Sequence, residues 1–312
     1  MRIIELLDLP LHLSKIVNTT RVAGVPPGIA NGRNKEEQES DDEYADNTRK
    51  WQRAESEDVL VFWQAGLPDD IGPDVMDAVK KNRPVYYKNW GRLLNYRPRV
   101  IVYADYKPWS EWRPKVGVSA GGIRRAGETS AGWGGTVQVY SAHPNLDVLA
   151  SGTVLHEIGH LYQFQNGGTF VAYCWLYEGD ATYHEVAQEY DYLARAQDIA
   201  AAGELPTLQG SGPSCDGANA REAYDIGYSF FKYLEETFGP DAHLRLWKLI
   251  GQGKTVKDAL QQITDMDFTE METDFRTWLG APNVEPPTVV PTNEFTFPPT
   301  PTYEGGGATP KP

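Results

Sequence analysis

Two histidines four residues apart, with a glutamate directly after the first, constrain this chain more than any other feature: His156-Glu157-Ile158-Gly159-His160. On a helix both imidazoles stand on one face, one turn apart, where they reach a single cation. Glu157 then projects beside them, in reach of the proton of a water on that cation. Imidazole nitrogen suits zinc, and a glutamate that is not itself a ligand suits proton transfer.

The flanks agree with a helix over about 145 to 165. Pro144 and Asn145-Leu146-Asp147 carry the proline, polar and acidic residues that helix starts favour. Leu146, Leu149, Val154, Ile158 and Leu161 are enough to bury one side. Gly152 weakens the start, and Asn166-Gly167-Gly168 supplies a stop.

A catalytic zinc usually takes three protein ligands and leaves a fourth position for water. His12, His143, His184 and His243 do not offer the spacing of a compact three-histidine site, and positions 163 and 166 are Gln163 and Asn166. The better candidate is a carboxylate on the next helix, in Trp175-Leu176-Tyr177-Glu178-Gly179-Asp180-Ala181. Seventeen residues separate His160 from Glu178, room for one loop and an antiparallel return. Asp180, His184 and Glu185 compete as ligands; they read instead as polar residues of a solvated helix face.

This segment resembles the Trp-Leu-x-Glu-Gly-x-Ala stretch of gluzincin metallopeptidases, the peptidase MA-like proteins and the aminopeptidases related to leukotriene A4 hydrolase. The resemblance gives Glu178 the part of third zinc ligand, in an interval one residue shorter than is common in those aminopeptidases. A second stretch, Tyr224-Asp225-Ile226-Gly227 running on to Tyr233-Leu234, is similar to the one whose first tyrosine hydrogen-bonds the tetrahedral intermediate. That role falls to Tyr224, with Tyr228 as the alternative and Tyr233 read as packing. A phenol suits it as a neutral donor at pH 7.

The same resemblance implies one Zn2+ held by His156, His160 and Glu178, a peptide or protein substrate, and Glu157 as general base. Its fold is α+β: a mixed sheet with an edge strand above the zinc-binding helix, then a helical C-terminal lobe, as in thermolysin-like gluzincin catalytic domains. Thr136 to Tyr140 is where a substrate-binding edge strand would lie, after glycines that permit close backbone approach. The Gly-x-Met-Glu-Asn motif that holds a free amino end is missing, so aminopeptidase specificity is not implied. Two rival classes are a catalytically silent metal-containing scaffold on a peptidase fold and a zinc hydrolase of a non-peptide bond.

Composition excludes other partners. A net charge of −14 repels nucleic acid, and no run of eighteen apolar residues spans a membrane. Cys174 and Cys215 match no zinc-cysteine pattern; they form one disulfide or remain free thiols. Met1 to Asp8 make a poor secretory signal, with two acids in the run, while the tail tips the reading toward an extracellular or cell-surface place.

Three segments follow: a polar N-terminal extension over 1–50, a metallopeptidase domain over 51–280, and a Pro/Thr/Gly-rich disordered tail over 281–312. The domain divides into an α/β part, 51–165, and a helical part, 166–280. Val59–Trp63 and Val100–Tyr103 suit strands, and a short helix is expected near Lys50. Asp74–Lys81 and Tyr86–Tyr96 have helical character with Pro84 between them. Beyond the metal helix, helices are expected at about 178–201, 220–238, 241–252, 255–264 and 269–279.

Overall fold

A computed structural model describes residues 20–23, 50–104, 125–130, 135–141, 148–167, 173–188, 190–210, 212–215 and 220–287. The start of the chain, the helix start at Pro144 to Asp147, and the Pro/Thr/Gly-rich segment beyond 287 lie outside the described residues, as do His12 and His143.

The fold is α+β, with one mixed sheet followed by helices. Among the described residues six strands, β1 (Thr20–Ala23), β2 (Lys50–Glu55), β3 (Leu60–Gln64), β4 (Arg99–Tyr103), β5 (Arg125–Ser130) and β6 (Thr136–Ser141), lie in the order β1-β2-β3-β4-β6-β5. β3, β4 and β6 run parallel, and the outer pairings are antiparallel. The parallel step from β3 to β4 needs a crossover, which helix α1 (Ile71–Trp90) provides.

Side-chain alternation explains why the central strands are buried throughout. Val61, Trp63, Val100, Val102, Val137 and Val139 enter the main core shared with the helices. The residues between them, Leu60, Phe62, Ile101, Tyr103 and Tyr140, gather with Trp51 in a second cluster. Trp51 meets Tyr103 edge-on at 5.5 Å between ring centroids, a preferred aromatic geometry.

Three sequence expectations about the sheet and its crossover helix are corrected. Lys50 begins a strand rather than a helix, because β2 pairs with β3 from Trp51↔Gln64 to Glu55↔Leu60. Pro84 does not separate two helices: α1 runs through it, since Val75, Ala78, Val79, Asn82, Tyr86, Asn89 and Trp90 bury one continuous face. That burial outweighs one missing backbone donor. Helix α1 stops at Gly91, whose φ of 69° lets its N–H reach the Tyr87 carbonyl at 2.8 Å. The third concerns the sheet edge. β6 is internal, held between β4 and β5, so among the described residues the edge on this side is β5, and β5 lies against the metal helix.

That helix, α2 (Val154–Gly167), is preceded by a buried π-helical turn over Leu149–Thr153 that contains Gly152. Then come α3 (Cys174–Tyr183), α4 (Tyr192–Ala201), α5 (Ala220–Phe238), α6 (Ala242–Gly251), α7 (Val256–Thr264) and α8 (Phe268–Leu279). The expected helix over 178–201 is thus two. The break leaves Val186 and Ala187 to donate to the Ser151 carbonyl, and Asp191 caps α4 through the Ala194 N–H.

Candidate metal centre

Helix α2 carries His156, Glu157 and His160 as buried residues, 8 %, 7 % and 5 % exposed. Its other side is fixed from α1, where the Tyr86 hydroxyl donates to the Leu155 carbonyl and the Tyr86 ring stacks on Tyr162. Buried polar groups on such a helix need partners. Both histidines have them on both nitrogens.

Glu178, on α3, brings Oε2 to 3.1 Å from Nε2 of His156 and 3.5 Å from Nε2 of His160. The opposite nitrogens face away into hydrogen bonds. Nδ1 of His156 lies 3.0 Å from Glu185 Oε1, and Tyr192 donates its hydroxyl to Glu185 Oε2 at 2.7 Å. Nδ1 of His160 lies 2.8 Å from Gln163 Oε1. Both Nε2 atoms converge on Glu178; with each Nδ1–H donated outward, they become, once free of protons, the donor set a borderline-soft cation takes.

The electrostatics show how strongly these groups are coupled. Burial alone would lower His156, but the hydrogen bonds and charges of Glu178 and Glu185 outweigh it and hold the imidazole up at about 10. Burial would raise Glu178, yet the adjacent His160 and His156 hold its carboxyl well below the usual carboxylate range. Without metal, then, a proton bridges His156 and Glu178, and a cation binding there must displace it.

Glu157 is the second carboxylate beside the pair: one of its oxygens and one nitrogen of each histidine lie within 4.8 Å of one another. Glu178 is the carboxylate whose single oxygen reaches both Nε2 atoms. Tyr177 stacks on His160 at 4.2 Å between centroids, and Tyr224 lies 6.0 Å from His156, nearly parallel to it. Burial, then the charges of Glu178 and Glu157, push the Tyr224 phenol well above its usual range, so it keeps its proton. Of the alternatives, Tyr228 packs on Tyr183 and Tyr192, while Tyr233 lies in the core and donates to Asp274 at 2.8 Å.

Two glycines set how closely α3 and α5 approach. A Cβ on Gly179 would sit 2.3 Å from the Gly227 backbone, and one on Gly227 would sit 2.0 Å from the Trp175 carbonyl. The backbones touch, which brings Glu178 and Tyr224 to the same cleft. The disulfide Cys174–Cys215 ties the start of α3 to the segment before α5. We expect Gly227→Ala to cost about 3 kcal/mol or more, because a backbone clash has no rotamer escape. Calorimetry should show a melting temperature lower by roughly 6–12 °C; an unchanged value would remove the helix contact as a determinant of the fold.

The reading of Asp180, His184 and Glu185 as a solvated face is overturned, since they are 0 %, 1 % and 8 % exposed. Glu185 holds His156, and Gln163 holds His160. Gln163 was visible in the sequence three residues after His160, one turn along the same helix face. Glu185 had no comparable signal, because it lies beyond the end of α3 and reaches back.

The profile of the Peptidase MA superfamily matches residues 136–281, a span that holds β6, α2 and every residue of the centre. The match supports a gluzincin-type peptidase superfamily and with it a metallopeptidase. No curated protein and no solved structure matches the chain.

Proposed function

We propose that this chain is a zinc-dependent peptidase in which His156, His160 and Glu178 hold the metal. The observation that carries the reading is the convergence of one carboxylate oxygen, 3.1 and 3.5 Å away, on two Nε2 atoms whose Nδ1 partners are already committed. Zinc in such a set supplies Lewis-acid chemistry, polarising a carbonyl and lowering the pKa of water.

The protein's own groups do the rest. Glu157 takes the proton of the attacking water as its oxygen joins the carbonyl carbon. When the C–N bond breaks, Glu157 passes that proton to the departing amine; the acid's remaining proton then moves to the amine, leaving a carboxylate and an ammonium group. Tyr224, held in its neutral form, donates a hydrogen bond to the oxygen that gains charge in the transition state. The arrangement of sheet, metal helix and helical lobe supports a thermolysin-like catalytic domain. β5, the sheet edge beside α2, is the strand on which an extended peptide would lie. We place the protein outside the cytoplasm, where the Cys174–Cys215 disulfide would persist.

The test is metal analysis of the purified protein together with cleavage of a mixed peptide library. About one zinc per chain is expected, with cleavage lost to a chelator and restored by zinc. Zinc at that level with no peptide cleaved would overturn the peptidase reading in favour of a metal-containing scaffold or a hydrolase of another bond.

A further inference from the structure

The two histidines of the centre are supported unequally. His156 meets a carboxylate directly, Glu185. His160 meets an amide, and that amide is itself pinned on both N–H groups. Gln163 Nε2 donates to the Tyr177 carbonyl at 2.8 Å and to Asp180 Oδ2 at 2.6 Å. With its donors committed, the amide can only turn its oxygen to His160, so Nδ1 of that ring must be the one that carries hydrogen.

The chain of contacts continues away from the metal. Asp180 Oδ1 pairs closely with Nε2 of His243, on α6 in the helical lobe. Asp180 and His243 are both 0 % exposed. A buried carboxylate costs free energy unless it is paired, and an apolar pair of similar volume would serve stability as well. Asp180, His184 and His243 also present ligand atoms within 4.8 Å of one another. These atoms are already engaged, however. His184 places Nδ1 2.8 Å from the Asp180 carbonyl and Nε2 3.2 Å from Asn89 Nδ2, so the cluster works as a hydrogen-bond network.

Building on the metal centre proposed above, we infer that Asp180 and His243 are positioning residues for His160. Acting through Gln163, they fix the amide so that the ring presents the Nε2 lone pair to the metal. The network spans α2, α3 and α6, so it ties one ligand of the centre to the helical lobe.

Exchanging the amide and the carboxylate tests this. Gln163→Glu sets two carboxylates against each other, and Asp180→Asn frees the amide to flip. Each should weaken zinc binding about 10–100-fold, the usual cost of an outer hydrogen-bond partner, read by chelator competition. Each should also change the visible spectrum of the cobalt(II)-substituted protein. The double variant Gln163→Glu/Asp180→Asn rebuilds the line from His160 to His243 with the roles reversed. The carboxylate now at position 163 would accept from His160, and the amide now at position 180 would donate to that carboxylate and accept from His243. One contact is not rebuilt, since the carboxylate at position 163 now meets the Tyr177 carbonyl without a donor, so the double variant should recover part of the lost affinity and move the spectrum back toward the original.

Singles that bind zinc like the wild type with an unchanged cobalt spectrum would overturn the proposal, even if their melting temperatures fall, since that is the mark of a purely structural role. A folded double variant whose loss equals the product of the singles would overturn it too. Where one single fails to fold, a folded double variant that binds zinc no more tightly than the other single does the same. Two zinc ions per wild-type chain, reduced to one by Asp180→Asn, would assign the cluster to a second metal instead. A wild type that holds no zinc would overturn the centre itself, a result distinct from zinc binding that the variants leave untouched.

Discussion

Glutamine in place of Glu157 is expected to lower kcat by about 10³-fold, the middle of the range that a positioned acid or base contributes. The substitution keeps the volume of the side chain and removes only its ability to take a proton. KM should change little, because the groups that would hold the substrate remain. Zinc content should stay at the wild-type level, since Glu178 and the two Nε2 atoms converge without Glu157. Steady-state kinetics and metal analysis of the same preparation check both halves. Retained turnover with full zinc would remove Glu157 as the base. Lost zinc would make it a ligand, the other role its place beside His156 and His160 allows.

What the sequence revealed of this centre is what short-range spacing encodes. The i, i+4 histidines require a helix, and α2 is one. Gly179 and Gly227 stood in the two motifs as bare letters; in the fold each is the point where the α3 and α5 backbones meet. The outer partners that come from other parts of the chain were less legible because they depend on tertiary return. Glu185 reaches His156 from beyond the end of α3, and His243 reaches Asp180 across 63 residues. No local pattern distinguishes such residues from a solvated polar face. The sheet edge was missed for a related reason. β5, Arg-Ala-Gly-Glu-Thr-Ser, has no hydrophobic alternation, and it is a strand through its backbone ladder with β6. Pro84 misled in the opposite direction, as a local breaker overruled by the buried face of α1.

Removal of Glu178 should have a larger effect on the metal than any change in its outer partners. Glu178→Ala takes away one of three ligands, so zinc affinity should fall by more than the roughly 10–100-fold typical of an outer hydrogen bond. It also removes the charge that contributes to holding His156 at about 10. In the metal-free wild type at a pH of about 8 that imidazole is protonated, and zinc binding must release about one proton. In Glu178→Ala the pKa falls toward the ordinary histidine value, so more of the metal-free population is already deprotonated at that pH and fewer protons are released. Glu185 still raises the pKa, which keeps the release above zero. Calorimetric titration with zinc in buffers of different ionisation enthalpy measures affinity and proton release together. Unchanged affinity would transfer the ligand role from Glu178 to Glu157, and the Glu157→Gln protein should then be the one that loses its metal. Zinc lost in one variant and kept in the other therefore assigns both carboxylates, the first as ligand and the second as base.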